Sequence, residues 1–323
     1  MIFLPYFNRD YKQQEEERMI TENINFRGAG KLPVHGVIWT PDDKHVEQVL
    51  HVIHGMTEYT GRYKELAAYF VKRHYAVCMI DLAGHGQSVI SDKNVLNVRS
   101  WTDWVYDTEL MRLEVKNRFP DVPYQMMGFS LGSFIARAHQ HSYPSADKMI
   151  LVGTGQPDKK ELQLARIILM LCCRNKDRAS KLVKKLAFDS YNSKISPKGT
   201  EPAEWLICDP TIRNEYLKDE NVRLQMSARF FDEFLKCMIQ TEEELVHANF
   251  EILLISGSDD PVSDIKHGGL EKVEKAYKDA GADVDMEIIE GYRHDILHDT
   301  CRQDVFEKID TFCQQSLRKE NAA

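Results

Sequence analysis

The sequence predicts an α/β chain: a mostly parallel sheet of about eight strands with an antiparallel N-terminal edge, helices on both faces, and a helical insertion. Three observations carry this expectation. Short apolar runs alternate with helix-periodic runs, and parallel strands need a crossover between them, usually a helix. The first two strand-like runs are joined too closely for a crossover and read as a hairpin. Residues 156–249 break the alternation, with helix-like runs and no convincing strand.

The elements follow in order. Residues 19–27 and 34–40 read as two strands, with Gly28-Ala29-Gly30-Lys31 as the turn between them. Val49 to Ile53 is a buried strand. Residues 62–73 place Tyr63, Leu66, Ala67 and Phe70 on one helical face. Tyr75 to Ile80 is a strand ending at Asp81, and Trp101 to Phe119 is a helix stopped by Pro120. Tyr124 to Met127 is a strand, followed by a helix from Gly132 to about His141. Met149 to Val152 is a strand that runs out into Gly153-Thr154-Gly155. Past the insertion come a strand at Phe250 to Ile255, a helix at Gly269 to Ala280, a strand at Val284 to Ile289 and a final helix from Cys301 to about Leu317.

The 323 residues suit one large domain carrying an insertion. The expected division is a core of 1–155 and 250–323 and a helical cap, or lid, of 156–249 folded over the strand ends. That cap opens with an apolar run, Leu162 to Cys173. A basic run follows: Arg174, Lys176, Arg178, Lys181, Lys184 and Lys185, opposed only by Asp177. Then comes a loop-rich part with Pro197, Gly199, Pro202 and Pro210, and a helix around Met226 to Ile239.

A net charge of −8 argues against a nucleic-acid partner. The seven cysteines include no C-x-x-C pair and read as reduced thiols of a cytoplasmic protein, with neither a zinc site nor a disulfide framework. Met1 to Phe7 is apolar but lacks a basic flank and a cleavage site, so no signal peptide is expected. No apolar stretch is long enough to span a membrane. Asp81 to Ser88 contains G-x-G without a third glycine in register, and no G-x-x-x-x-G-K-[ST] occurs, so no nucleotide cradle is expected. No metal or other cofactor is implied.

The chemistry centres on Gly128-Phe129-Ser130-Leu131-Gly132, a G-x-S-x-G word between a strand and a helix. Such a turn lifts a serine hydroxyl clear of the backbone, and it is too tight for any residue but glycine on either side. A serine needs a base, and the base needs an acid. In doubly wound sheets these lie just past the carboxyl ends of strands. After Ile255 comes Ser258-Asp259-Asp260-Pro261, and after Ile289 comes Tyr292-Arg293-His294-Asp295. His294 is the expected base, with His298 as its competitor. Asp260 is preferred to Asp259, because Pro261 fixes its exit from the turn. Leu131 and Met56 are the expected amide donors to an oxyanion, and His54 is expected to shape the Met56 loop. His139 and His141 read as surface residues.

With these residues in place, the chain resembles the monoacylglycerol lipase and lysophospholipase branch, bacterial type, of the serine α/β-hydrolases. His54-Gly55-Met56-Thr57-Glu58-Tyr59 with Arg62-Tyr63 is similar to that branch's H-G-x-x-E-H…R-Y segment, and Asp81 to Ser88 to its D-x-x-G-H-G-x-S loop. Tyr191-Asn192 and Trp205-Leu206 are similar to cap words of bacterial members. Tyr59 stands where the branch has His, and Cys208 where bacterial sequences often carry Arg. The resemblance implies an α/β-hydrolase fold, Ser130, Asp260 and His294 as nucleophile, acid and base, and Met56 and Leu131 as oxyanion donors.

The leading expectation is therefore a serine esterase acting on a lipid-like monoester, with the Leu162 to Cys173 run sheltering the acyl chain. The partner is a small-molecule ester, with transient membrane-surface contact through the basic run as a further expectation. A proline-releasing aminopeptidase of the same fold would need cap acids, and Glu201, Glu204, Asp209, Glu215, Asp219 and Glu220 supply candidates. A silent binding module would need a broken triad.

Overall fold

The computed structural model describes residues 19–90, 95–185, 189–195, 202–243 and 250–315. Met1 to Phe7, Pro197, Gly199, Glu201 and the end of the last helix at Leu317 lie outside the described residues. Eight strands form one sheet: β1 (Met19–Arg27), β2 (Pro33–Pro41), β3 (Gln48–Ile53), β4 (Tyr75–Ile80), β5 (Tyr124–Phe129), β6 (Lys148–Val152), β7 (Glu251–Gly257) and β8 (Asp283–Ile289). Their order is β1-β2-β4-β3-β5-β6-β7-β8. β1 runs antiparallel to β2, and β2 antiparallel to β4. The remaining pairs are parallel.

Both faces of the sheet are covered, which is why the central strands read as unbroken apolar runs. Alternate residues serve opposite faces. Val49 and Ile53 point to one, with Cys78, Met126 and Leu151; there they meet Trp104 and Met111 of α2 (Trp101–Arg118), Phe134 of α3 (Leu131–Ser142) and Val273 of α9 (Gly269–Asp279). Leu50 and Val52 point to the other, with Val77, Met127 and Ile255. That face packs on Leu66 and Phe70 of α1 (Lys64–Val71) and on Phe306 and Ile309 of α10 (Arg302–Gln314).

Between β6 and β7 lie α4 (Lys159–Cys172), α5 (Lys181–Lys184), α6 (Ser190–Ile195), α7 (Pro210–Lys218) and α8 (Ala228–Glu243). Asp158 caps α4 by accepting from the Lys160 amide at 2.8 Å. Pro210, expected in a loop, opens α7 instead. Proline suits a first helical position, and Asp209 before it caps the Thr211 amide at 2.8 Å. The described residues of the insertion form no strand beyond isolated bridges pairing Leu96 with Met226 and Ala179 with Ser227.

One histidine departs from expectation. His139 is not at the surface: it is fully buried, with Nε2 at 3.0 Å from Glu109 of α2. It lies in the last turn of α3, where His-Gln-His reads as polar, but α3 is enclosed between the sheet, α2 and α8. His141 is half-buried.

Candidate active site

Ser130 sits between β5 and α3 with φ 51° and ψ −117°, a conformation that costs a non-glycine residue strain. Two close approaches force the flanking glycines. A Cβ on Gly128 would lie 2.3 Å from the Gly132 carbonyl oxygen, and one on Gly132 would lie 2.0 Å from the Ile53 carbonyl oxygen. The Ser130 amide donates to the Val152 carbonyl at 2.9 Å, tying the turn to β6.

His294 follows β8 and brings Nε2 to 2.8 Å from Ser130 Oγ. Its Nδ1 lies 2.9 and 3.0 Å from the two carboxylate oxygens of Asp260, which follows β7. Asp260 is 3% exposed and His294 1%, so water does not compete for these contacts. Burial alone would raise the Asp260 pKa, but the His294 ring, the Ser263 hydroxyl and the Val262 amide outweigh it and hold the carboxyl below its usual range. The Ser256 hydroxyl, at 2.9 Å, also reaches Asp260. Ser256 and Ser263 had no signature in the sequence beyond their nearness to Asp260. Asp259 points elsewhere, accepting from Lys266 Nζ at 2.7 Å. His298 is turned away too, with Nδ1 at 2.7 Å from Asp295.

The loop after β3 faces the serine. Met56 lines the same small cavity as Ser130 and His294. Leu131 opens α3, so its amide has no acceptor within the helix. His54 is fully buried, and burial pushes its pKa down. Its Nε2 accepts from the Leu82 amide at 3.0 Å, so the proton sits on Nδ1 and is donated to the Gly55 carbonyl at 2.8 Å. Asp81 fastens the neighbouring turn by accepting from the Thr60 and Gln87 amides, both at 2.8 Å. The 81–88 segment is thus a self-bonded turn.

A buried charge cluster joins this loop to the segment that carries His294. Glu58 accepts from the Gly55 amide at 2.9 Å and from the Tyr63 hydroxyl at 2.6 Å. Arg62 lies 3.1 Å from Glu58 and 3.0 Å from Asp295, the residue after His294. Burial would raise the Asp295 pKa, but His298 and Arg62 hold it low. Among the described residues, Glu58, Asp295 and His298 bring ligand-type atoms within 4.8 Å of one another. The Arg62 guanidinium already supplies the positive charge that a cation would bring there. The Glu58 to Arg62 spacing was visible in the sequence, but its link to Asp295, more than two hundred residues on, was not.

The insertion closes over these groups. Trp205 stacks on the His294 ring, with centroids 5.1 Å apart. The Leu206 carbonyl accepts from the Asp295 amide at 2.8 Å, and the Cys208 amide donates to Asp299 at 2.6 Å. The cavity over Ser130 holds only about 20 Å³, lined by Met56, Phe129, Trp205, Leu206 and Tyr216 among others. Trp205, Leu206 and Tyr216 also wall a second cavity of about 840 Å³ inside the insertion. The Leu162 to Cys173 run lines neither: Leu162 and Leu169 are buried in the core cluster that includes α8, and the other flank is exposed.

Comparison with known proteins places the chain in a family. A sequence model of the family described as "Serine aminopeptidase, S33" matches residues 44–301, and the chain belongs to that family. The chain is 26% identical to phospholipase YtpA of Bacillus subtilis over 87% of its length and the whole of that protein. It is 31% identical to a monoacylglycerol lipase of Mycolicibacterium smegmatis, over 40% of this chain and only 45% of that protein. A thermostable carboxyl esterase from Bacillus coagulans superposes with a TM-score of 0.80 at 24% identity, covering 91% of this chain and 97% of the other, which shows the shared fold. The chain is a serine hydrolase of the α/β-hydrolase fold.

Proposed function

We propose that this member of the family hydrolyses lipid-like monoesters, monoacylglycerol or lysophospholipid, through an acyl-enzyme on Ser130. Ser130 Oγ adds to the ester carbonyl as His294 Nε2 takes its proton, while Asp260 holds the ring and offsets its charge. The Met56 and Leu131 amides stabilise the oxyanion; one such donor is typically worth about 3–4 kcal/mol of transition-state stabilisation. Collapse releases the alcohol, which leaves with the proton from His294. A water then adds to the acyl carbon, gives a proton to His294, and the freed acid leaves as that proton returns to Ser130.

The observation that carries the substrate class is the pairing of the two cavities. About 20 Å³ over Ser130 admits one water at most, whereas the 840 Å³ beyond Trp205, Leu206 and Tyr216 matches a ligand of lipid size. We take residues 156–249 as a cap whose Trp205-Leu206 partition retreats to join the two. The names of the two curated relatives, a phospholipase and a monoacylglycerol lipase, support the same class. Seven unpaired thiols support a cytoplasmic setting, and no described helix is long and apolar enough to cross a membrane.

The family's description favours an aminopeptidase as the second reading. That activity needs a carboxylate free to hold the substrate amine. Glu58 is the one acid lining the Ser130 cavity among the described residues, and Arg62 pairs with it at 3.1 Å. Asp209 caps α7, Asp219 accepts from the Tyr59 hydroxyl at 2.8 Å, and neither they nor Glu204, Glu215 or Glu220 line the cavity. A panel of aryl esters, monoacylglycerol, lysophosphatidylcholine and proline arylamide, blanked with Ser130→Ala, tests the assignment. Turnover of the lipid monoesters is expected; turnover of the arylamide alone would reverse it.

A further inference from the structure

The turn that carries Met56 is held in a conformation that its residues do not favour. Gly55 to Glu58 form a β-turn, with the Glu58 amide donating to the Gly55 carbonyl at 3.4 Å. Its third residue, Thr57, has φ 72°. A type II turn has a positive φ at that position and takes glycine or asparagine there. A β-branched residue is strained in that region. Left to itself, the Met56–Thr57 peptide would turn over to the type I arrangement, which returns Thr57 to a negative φ. The force that holds it must come from outside the turn.

The insertion supplies it. The Tyr216 hydroxyl, in the last turn of α7, lies 2.7 Å from Thr57 Oγ1, and both residues are buried. The Arg223 amide donates to the Thr57 carbonyl at 3.3 Å, and the Tyr59 hydroxyl donates to Asp219 at 2.8 Å. Arg223 is anchored in turn on the core, its guanidinium donating to the Gly84 and Gly86 carbonyls, each at 3.3 Å. The Tyr216 ring also lies over the Arg62 guanidinium, 4.6 Å from ring centre to guanidinium carbon. Arg62 pairs with Glu58, which accepts from the Gly55 amide. Tyr216 therefore touches the turn by two routes, its hydroxyl on Thr57 and its ring on the cation that holds Glu58.

We propose that Tyr216 is a positioning residue for the hydrolysis: its hydroxyl latches Thr57 in the left-handed conformation and so keeps the Met56 amide aimed at the oxyanion. The inference rests on the reading of Met56 as an oxyanion donor and does not depend on which ester the enzyme cleaves. Tyr216 also walls both the Ser130 cavity and the 840 Å³ cavity. The latch thus fixes the part of the shared wall that stays in place when the Trp205-Leu206 partition retreats.

Steady-state kinetics of the full chain on a soluble aryl ester test this, together with inhibition by an aryl trifluoromethyl ketone. Ser130 Oγ adds to the ketone carbon as its proton passes to His294, and the former carbonyl oxygen becomes an anion where the ester's would form. Tyr216→Phe keeps the ring over Arg62 and removes only the hydroxyl. It is expected to lower kcat by about ten- to a hundredfold, leave KM within about twofold, and weaken the ketone by the same factor as kcat. Thr57→Val should match it, and the two together should be no worse than the larger single loss. Thr57→Gly also lacks the hydroxyl but takes φ 72° without strain, so it should lose less than Thr57→Val; a role in packing alone predicts the reverse. An unchanged kcat in Tyr216→Phe, additive losses in the pair, or a larger loss in Thr57→Gly than in Thr57→Val would overturn the latch. A loss of kcat that spares the ketone would instead remove Met56 from the oxyanion, and the proposal with it.

Discussion

The floor of the site and the outer side of α4 invert the usual distribution of residues in opposite ways. Under Ser130, the groups buried are polar: Asp260, His294, Glu58, Arg62 and Asp295. On α4, the groups exposed are apolar. The floor is tolerable because each charge meets an opposite charge or hydrogen-bond donors within about three ångströms. That apolar stripe has no such cover among the described residues. A buried polar cluster with internal partners reads as chemistry; an exposed apolar stripe without them reads as a surface for something else.

The sharpest break in that contrast is at the floor. Ser130→Ala is expected to lower kcat/KM on an aryl ester by about 10⁴- to 10⁶-fold, read by steady-state kinetics. Its melting temperature should hold, because no buried charge loses its partner. Arg62→Met is next. It leaves the Glu58 and Asp295 carboxylates buried without their cation, and is expected to cost about 3–5 kcal/mol in urea unfolding.

The two sides of α4 give a smaller, internal test. Leu169→Ala empties a buried position and is expected to cost about 2–4 kcal/mol. Leu171→Ser, two residues on, is expected to stay within about 0.5 kcal/mol of the parent. Equal losses would mean that the stripe is covered within the chain.

Asp107, on α2 and away from the site, sharpens the rule about partners. It is 2% exposed, and the Arg99 charge acts on it more weakly than burial does. Burial pushes its pKa from 3.8 up to about 6, offset in part by the Ala29 amide that it accepts from at 2.7 Å. A raised carboxyl pKa means the folded state favours the protonated form. The penalty is absent below the unfolded pKa near 3.8, grows as pH rises toward 6 and is complete above it. Asp107→Asn keeps the acceptor and is expected to add up to about 2–3 kcal/mol at pH 8. The gain in thermal melts should fade to nothing near pH 3.5.

Much of this molecule was legible in its sequence. The strand at 75–80 has the bounds its pattern gave, because residues buried on both faces must be apolar throughout; the strand at 19–27 has them too, although it is a mostly exposed edge strand. The Ser130 turn was legible because its two glycines are forced by backbone atoms under 2.5 Å from any added Cβ. His139 was misjudged, since a polar word at a helix end gives no sign that a second helix will cover it. Leu162 to Cys173, read as the acyl shelter, lines neither cavity beside Trp205 for a related reason: periodicity shows that a helix has an apolar side, but not what that side meets.

Sequence alone, then, determined the alternation of elements, the turn that carries Ser130, and the strand ends after which Asp260 and His294 fall. These depend on local backbone sterics and on burial period, which neighbouring residues encode. Only the tertiary structure decided that Asp260 rather than Asp259 faces the ring, that Arg62 bridges Glu58 to Asp295, and that Trp205 closes over His294. Those are contacts between segments far apart in the chain, and their distances are set by how whole elements pack.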